Sequence, residues 1–569
     1  MGGDAIESRV LRLIAERVLE VAPEFGVESD LFAAGLDSMA IMQLILALEE
    51  AFGQSIPIES VSRANFSSVR AVAAFVTARG IGSAGQVPEG GGKPEPPEPA
   101  PATATEPAAP PRRPVSEPVD SAEFSELPFR GCDYFVWSFD THSRKTGQGG
   151  HKAHSFLELE AVPDVARLRE VLAVAADRHP MMNALIRRRS FFARPSWVPP
   201  KERAVPELRL FSEEGSPGRL MGEGGIRCGD VRAVMEETVN TPMPQATKSH
   251  WPKARFTLIE RKEGGATLIF SWSHMMMDGV GAEFFLEELD RLSGAGGEPI
   301  RAVEAGEEGG AMTWRQRWEV ARPMVRFFRS MSQRPFDCLG PRRPRPGRTS
   351  FAVYPLTEEE TRITNERCAA MGSGLVNMPF YLACVARAHH RVMEGRGMRP
   401  ESHVCSVPVQ IRRKGVRGPM FQNHVTMFFG VLVPEEVGSL ERSVSSLIAQ
   451  HASFLKNRLG EALNDLMQSM SVIPPGLYMK FISMQMRGPF ASFFHSHTGE
   501  FAPGMDRFLG VRITGAYHVP GIGTPPGTGI FFNEKNGRLV ITFCWHEGAV
   551  TDEERGMMLA QLLGDLGVA

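Results

Sequence analysis

The stretch Thr267–Leu289, TLIFSWSHMMMDGVGAEFFLEEL, carries the densest chemical signal in this 569-residue chain. Residues 266–274, ATLIFSWSH, alternate and are β-rich, so they read as a strand ending on His274. The segment after Gly279 has the apolar spacing of an amphipathic helix. Between strand and helix stand three methionines and Asp278. A histidine so placed is a candidate general base, because neutral imidazole can take a proton from a hydroxyl or amine near neutral pH. Met275, Met276 and Met277 could line an adaptable apolar tunnel, although runs of methionine more often fill a core.

Strand and helix signals recur outward from this stretch. Segments 165–179 and 377–395 have helical apolar periods, and the mixture predicts an α/β or α+β architecture. The Pro- and Arg-rich stretch 334–350 reads as a crossover between two halves. A second histidine pair, HHRVMEG (389–395), lies at the end of a helical pattern with no strand before it. His389 and His390 are therefore expected to pack or face solvent. His495 and His497 have no acidic or cysteine neighbours in sequence, and no metal site is expected. Segment 323–336, with arginines among phenylalanines, reads first as a helix packed on one side and second as one that touches a lipid surface or the N-terminal region.

The N-terminal eighty residues form a separate pattern. Val10, Leu11, Leu13, Ile14, Val18 and Leu19 make one helical stripe. Further on, Asp37 and Ser38 immediately precede an apolar helix, placing Ser38 at or near its N-terminus. Residues 81–120 hold eleven prolines among Gly, Ala, Glu and Thr, a composition that cannot bury a core and predicts an extended linker. In polyproline II it would reach at most roughly 120 Å.

Composition narrows the function classes. A net charge of −3 gives no global attraction to nucleic acid or to an acidic membrane surface. No apolar run is long enough for a membrane span, and the first residues are unlike a secretory signal. Seven dispersed cysteines without a CxxC pair predict reduced thiols and a cytoplasmic setting.

Two resemblances follow from these residues. DLFAAGLDSM, the helix ending in LEEAFG, and the SIP after it resemble the acyl carrier protein family over most of residues 5–78. That resemblance implies a small four-helix bundle with 4′-phosphopantetheine on Ser38, whose thioester is an activated acyl donor. Eleven acidic side chains against six basic ones in residues 1–80 would suit docking on basic partner surfaces. His274-x-x-x-Asp278-Gly279 resembles the motif of the acyltransferase superfamily that includes chloramphenicol acetyltransferase, peptide-synthetase condensation domains and the wax ester synthase/diacylglycerol acyltransferase group. The chain departs from that motif at Ser273, where the family has a first histidine. CSVPVQIRRKG (405–415) and FQNHVTMFFGVLVP (421–434) resemble elements of the wax ester synthase branch. They place Arg412 at its arginine and Asn423 at its asparagine, with Gln422 where a glycine is usual.

The resemblance implies a multidomain chain. A carrier domain would occupy residues 1–80, a linker 81–120, and two α/β lobes 121–335 and 336–569, with His274 in a channel between the lobes. His274 would be the base, Asp278 would pair inward with Arg412, and Gly279 would permit a tight turn. Asn423 and segment 513–521 are the candidates for oxyanion donors, with loop structure as the plainer reading of both. The expected function is acyl transfer from the carrier thioester to an alcohol, in lipid or polyketide-type secondary metabolism. An amide-forming condensation catalyst of a nonribosomal peptide pathway and a non-catalytic carrier-docking module are the alternatives. Implied partners are a phosphopantetheinyl transferase, an acyl-loading enzyme or upstream synthase, and a small alcohol or amine acceptor.

Overall fold

The computed structural model describes residues 3–79 and 126–568, apart from residues 22, 23, 37, 54, 55, 57–61, 192, 297, 298, 304–313, 332, 375, 413, 414, 416, 487 and 488. The expected linker 81–120 and Asp37 lie outside the described residues.

Three helices, Gly3–Arg17, Ser38–Phe52 and Val69–Ala78, make up the described N-terminal unit, where four were expected. Their apolar stripes close on one core that includes Val10, Ile14, Leu44, Leu48, Phe66 and Val72. Ser68 starts the third helix by accepting the Ala71 N–H, satisfying one of the donors a helix start leaves open.

The rest of the chain builds two large sheets. A seven-stranded sheet runs in the order Arg507–Phe508, Val511–Pro520, Lys152–Leu159, Ala266–Ser273, Ala254–Glu260, Glu207–Glu213, Ile226–Cys228. A six-stranded sheet runs Val425–Leu432, His403–Gln410, Phe493–Glu500, Thr528–Lys535, Arg538–His546, Thr349–Pro355. The expected division at residue 335 is therefore crossed. The strand Val511–Pro520, from the second half, pairs antiparallel with Lys152–Leu159 and completes the first sheet. This strand is the segment that had read more plainly as a loop. Ile513 and Ala516 enter the main core and Val519 enters a second cluster, so the strand is buried on both faces, which offsets the long excursion.

Strand Ala266–Ser273 is buried at all eight positions, with a neighbouring strand on either side. Its alternate positions Thr267, Ser271 and Ser273 are buried along with the apolar ones, so the strand is covered on both faces and delivers His274 into the interior. The three methionines after it are almost wholly buried in the main core, as filler. Phe327 and Phe328 of the helix Trp314–Met331 pack on Phe429. Among the described residues no helix is long and apolar enough to cross a membrane, and the seven cysteines are free.

Candidate active site

His274 leaves its strand with its N–H bonded to the His151 carbonyl at 3.1 Å. The two imidazoles stack, with centroids 4.6 Å apart and planes 9° apart. His274 Nδ1 lies 3.1 Å from Asn423 Oδ1. The amide orientation is fixed, because Asn423 Nδ2 donates to Asp133 Oδ1 and to the His274 carbonyl, each at 3.1 Å. Oδ1 must then accept, so Nδ1 carries the imidazole proton and Nε2 carries the lone pair. Burial lowers the His274 pKa, while Asp278 and Asn423 act the other way. His151 is held well below the ordinary histidine value by burial and by His274.

Asp133 is the residue that sequence reading missed. It sits in the first turn of the helix Gly131–Lys145 and is fully buried. One oxygen accepts the Asn423 N–H at 2.8 Å as well as its amide; the other accepts from Arg130 N and Gln422 Nε2. Gln422 has φ 70°, a left-handed conformation that costs a non-glycine residue roughly 1 kcal/mol. Its amide offsets that cost by bonding Asp133 and the Pro128 carbonyl. This accounts for a glutamine where glycine is usual. Replacing Asp133 by asparagine would set an amide donor against donors and release Asn423 to turn over. An Asp133→Asn variant should lose about 10²-fold in turnover with the acceptor KM little changed. ¹⁵N shifts should then show the His274 proton moved to Nε2, a change that mere loosening of the fold would not produce.

Asp278 is the N-cap of the helix Gly279–Asp290. Its Oδ1 accepts the Gly281 N–H at 2.9 Å. Its Oδ2 takes Arg412 Nη1 and the His424 N–H, both at 2.8 Å. Burial alone would raise the Asp278 pKa, but the Arg412 charge and these hydrogen bonds bring it below the usual carboxylate range. Arg412 also donates from Nε to the Pro419 carbonyl at 3.0 Å. The tight-turn role expected of Gly279 is not what the backbone shows. Its φ is not in the left-handed region, and a Cβ there would meet only His518 Nε2, at 4.0 Å. Gly281 is the constrained glycine, since a Cβ would stand 2.2 Å from the Met420 carbonyl oxygen.

Of the oxyanion candidates, Asn423 has its amide committed to Asp133 and the His274 carbonyl and acts as an orienting group. His518, on strand Val511–Pro520, is hydrogen-bonded to Glu283 at 2.8 Å and to Ser155 at 3.0 Å. His389 is satisfied by the Val385 carbonyl and Thr528. Among the described residues no group of His, Cys, Asp and Glu is placed to hold a metal ion.

A cavity of about 350 Å³ opens on His274 and is lined by Trp272, Val376, Met378, Gly415 and His518 among others. Its rim meets the N-terminal unit. Val376 belongs to the core of that unit, against which Ala452 and Leu455 also pack. A Cβ on Gly415 would stand 2.2 Å from the Glu20 carbonyl oxygen and 3.3 Å from that of Ala34, and Glu20 lies 3.8 Å from Arg301. Ser38 is the first residue of its helix, four positions beyond Ala34.

Residues 9–76 match the family model described as the phosphopantetheine attachment site. A curated relative, the aminoacyl carrier protein of Agrobacterium fabrum (strain C58 / ATCC 33970), is 47% identical over 45 residues, which are 8% of this chain. The chain spans about half (54%) of that relative's length. This part is thus a carrier domain of the kind that bears covalently attached phosphopantetheine.

The larger part has the two-lobed fold of condensation domains and chloramphenicol acetyltransferase-like acyltransferases. The first condensation domain of the calcium-dependent antibiotic synthetase, in complex with a substrate analogue, superposes with TM-score 0.55 at 16% identity, covering 79% of this chain and 96% of that one. The trichothecene 15-O-acetyltransferase TRI3 of Fusarium sporotrichioides gives 0.54 at 11% identity, covering 78% and 95%. The starter condensation domain of rhizomide synthetase, in complex with C8-CoA and Leu-SNAC, gives 0.52 at 12% identity, covering 78% and 94%.

Proposed function

We propose that the chain is a carrier-fused acyltransferase that moves an acyl group from a phosphopantetheine arm on Ser38 to a hydroxyl or amine, with His274 as general base. The observation that carries this reading is the fixed His274 tautomer in a cavity whose rim touches the carrier domain. The arm, when present, supplies the acyl group as an activated thioester. His274 Nε2 takes the acceptor's proton as the acceptor attacks the carbonyl, and returns it to the departing sulfur. Asn423 and Asp133 hold the ring; Asp278 and Arg412 hold the loop that carries it. No nucleophilic Ser or Cys is required.

Ester formation remains the leading reading, supported by the fold shared with an O-acetyltransferase. Amide formation is the second, favoured by the aminoacyl carrier relative and by the condensation-domain fold. Placement near the wax ester synthase group rests on the sequence elements at 405–415 and 421–434. A phosphopantetheinyl transferase and a separate acyl-loading enzyme are the partners such a chain needs.

Intact-protein mass spectrometry tests the reading. The full chain is loaded with acyl-phosphopantetheine, and a pool of alcohols and amines is added. The expected result is an acyl mass that maps to Ser38, is absent from Ser38→Ala, and is discharged to an identifiable ester or amide. Absence of loading on the wild-type chain would remove the carrier role of Ser38.

A further inference from the structure

A second cavity, of about 220 Å³, opens on the His151 side of the stacked imidazole pair. His151 lines this one and His274 lines the first, so the stacked rings stand between the two cavities. Its wall is rich in glycine, and a Cβ on Gly149 would stand 3.7 Å from Lys152 Nζ. Lys152 is 7% exposed, and among the described residues its ammonium donates only to the neutral carbonyls of Asn240 and Thr241, at 2.8 and 3.2 Å. Burial, with Arg144, Arg255 and Arg348 close by, brings its pKa down to about 8. Arg348 lines the same cavity.

Neither of the nearby carboxylates, Asp140 and Glu547, is hydrogen-bonded to Lys152. Asp140 accepts from Arg144 Nε and from the His151 N–H, each at 2.8 Å, and Glu547 accepts the Arg348 N–H at 3.4 Å. On the same wall His546 is 1% exposed and turns Nδ1 to the Glu547 carbonyl, which places the proton there. Its Nε2 is a buried acceptor without a partner. A buried ammonium without a carboxylate and a buried acceptor without a donor both carry a desolvation cost, which a ligand supplying the missing groups would relieve.

We propose that this cavity is the acceptor's entrance, and that it selects small acceptors carrying a carboxylate or phosphate beside their nucleophilic hydroxyl or amine. Lys152 and Arg348 hold the anionic oxygens, and His546 accepts from a donor on the same molecule. The assignment of the ligand as acceptor rests on the acyl-transfer reading; the anion site itself does not.

Two measurements on the full-length holo chain decide it. Calorimetric titration with inorganic phosphate and with N-acetylglycine, at constant ionic strength, should show saturable binding. That binding should weaken about tenfold in Arg348→Gln and in Lys152→Met, as loss of one charge-assisted contact predicts. Equal, unsaturable heats in all three proteins would overturn the site, and Arg348→Gln, an exposed position, answers even if Lys152→Met fails to fold.

The acyl-loaded chain is then offered glycine against glycinamide, and phosphoethanolamine against ethanolamine. The anionic member of each pair should be preferred about tenfold. The preference should vanish in Arg348→Gln, and a preference that persisted there would overturn the assignment. Competition by 4′-phosphopantetheine but by none of the small acids would overturn the small-acceptor assignment in favour of a second carrier's arm. Equal discharge by wild type and His274→Ala would defeat the acyl-transfer reading, while the phosphate titration would still decide the anion site.

Discussion

His274→Ala should discharge its acyl-loaded carrier about 10³-fold more slowly than the wild-type chain, within the range that a positioned general base supplies. The loss should fall on turnover, because the ring's Nδ1 side is engaged by Asn423 and only Nε2 is left to meet the acceptor. Stopped single-turnover mass spectrometry of the Ser38 arm measures it directly. Loading of the arm should be unchanged, since the carrier helices close mainly on their own core. The pH profile carries the sign of the pKa shift. Imidazole must be neutral to act, and burial lowers the His274 pKa. The acid limb of the turnover profile should therefore lie below the ordinary histidine value, with a plateau across pH 7–8. A limb displaced upward, or a variant as active as wild type, would point to the non-catalytic docking module.

The parts of this arrangement that were legible in the sequence share one property: they are local. A strand, a histidine, an acid and a helix within 23 residues can be read because backbone period and side-chain type agree over a short window. The same holds for Ser38 before its apolar helix. Arg412, 134 residues from Asp278, was reachable only through resemblance to a known family, since nothing in its own neighbourhood marks it as buried.

Asp133 and His151 were not legible at all. Asp133 lies 290 residues from Asn423, in a helix start whose first-turn acid is an ordinary capping feature. Its contact with the site exists only because two lobes close on each other, through the Met277–Gln422 bridge. His151 follows a run of glycines, a signal of close backbone approach that could have singled out the loop without naming its partner. The strand Val511–Pro520 was misread for a related reason, because its partner strand is more than 350 residues away. Gly279 shows the opposite error. A motif glycine invited a turn argument, whereas the steric demand sits two positions later, where Gly281 lies against Met420.

Asp278→Ala should be the most destabilising single change at the site. It strands Arg412, 8% exposed, without its carboxylate, and leaves the Gly281 and His424 N–H groups without their acceptor. Breaking one side of a buried pair costs about 3–5 kcal/mol, and loss of the helix cap about 1 kcal/mol more. Arg412→Met should be similarly costly, because the Asp278 carboxylate then stays buried without its counter-charge. The double variant should fall well short of the sum, since neither charge is left uncompensated, and denaturant titration of the four proteins gives the coupling. The Asp278 pKa is lowered by folding, so its stabilisation is complete above the unfolded-state value and fades as pH falls through the lower folded one. The gap between wild type and Asp278→Ala should accordingly narrow in acid. Strict additivity in the cycle would show that the two side chains do not act as a pair. The loop holding His274 would then depend on the helix cap alone, and Arg412→Met would keep its turnover.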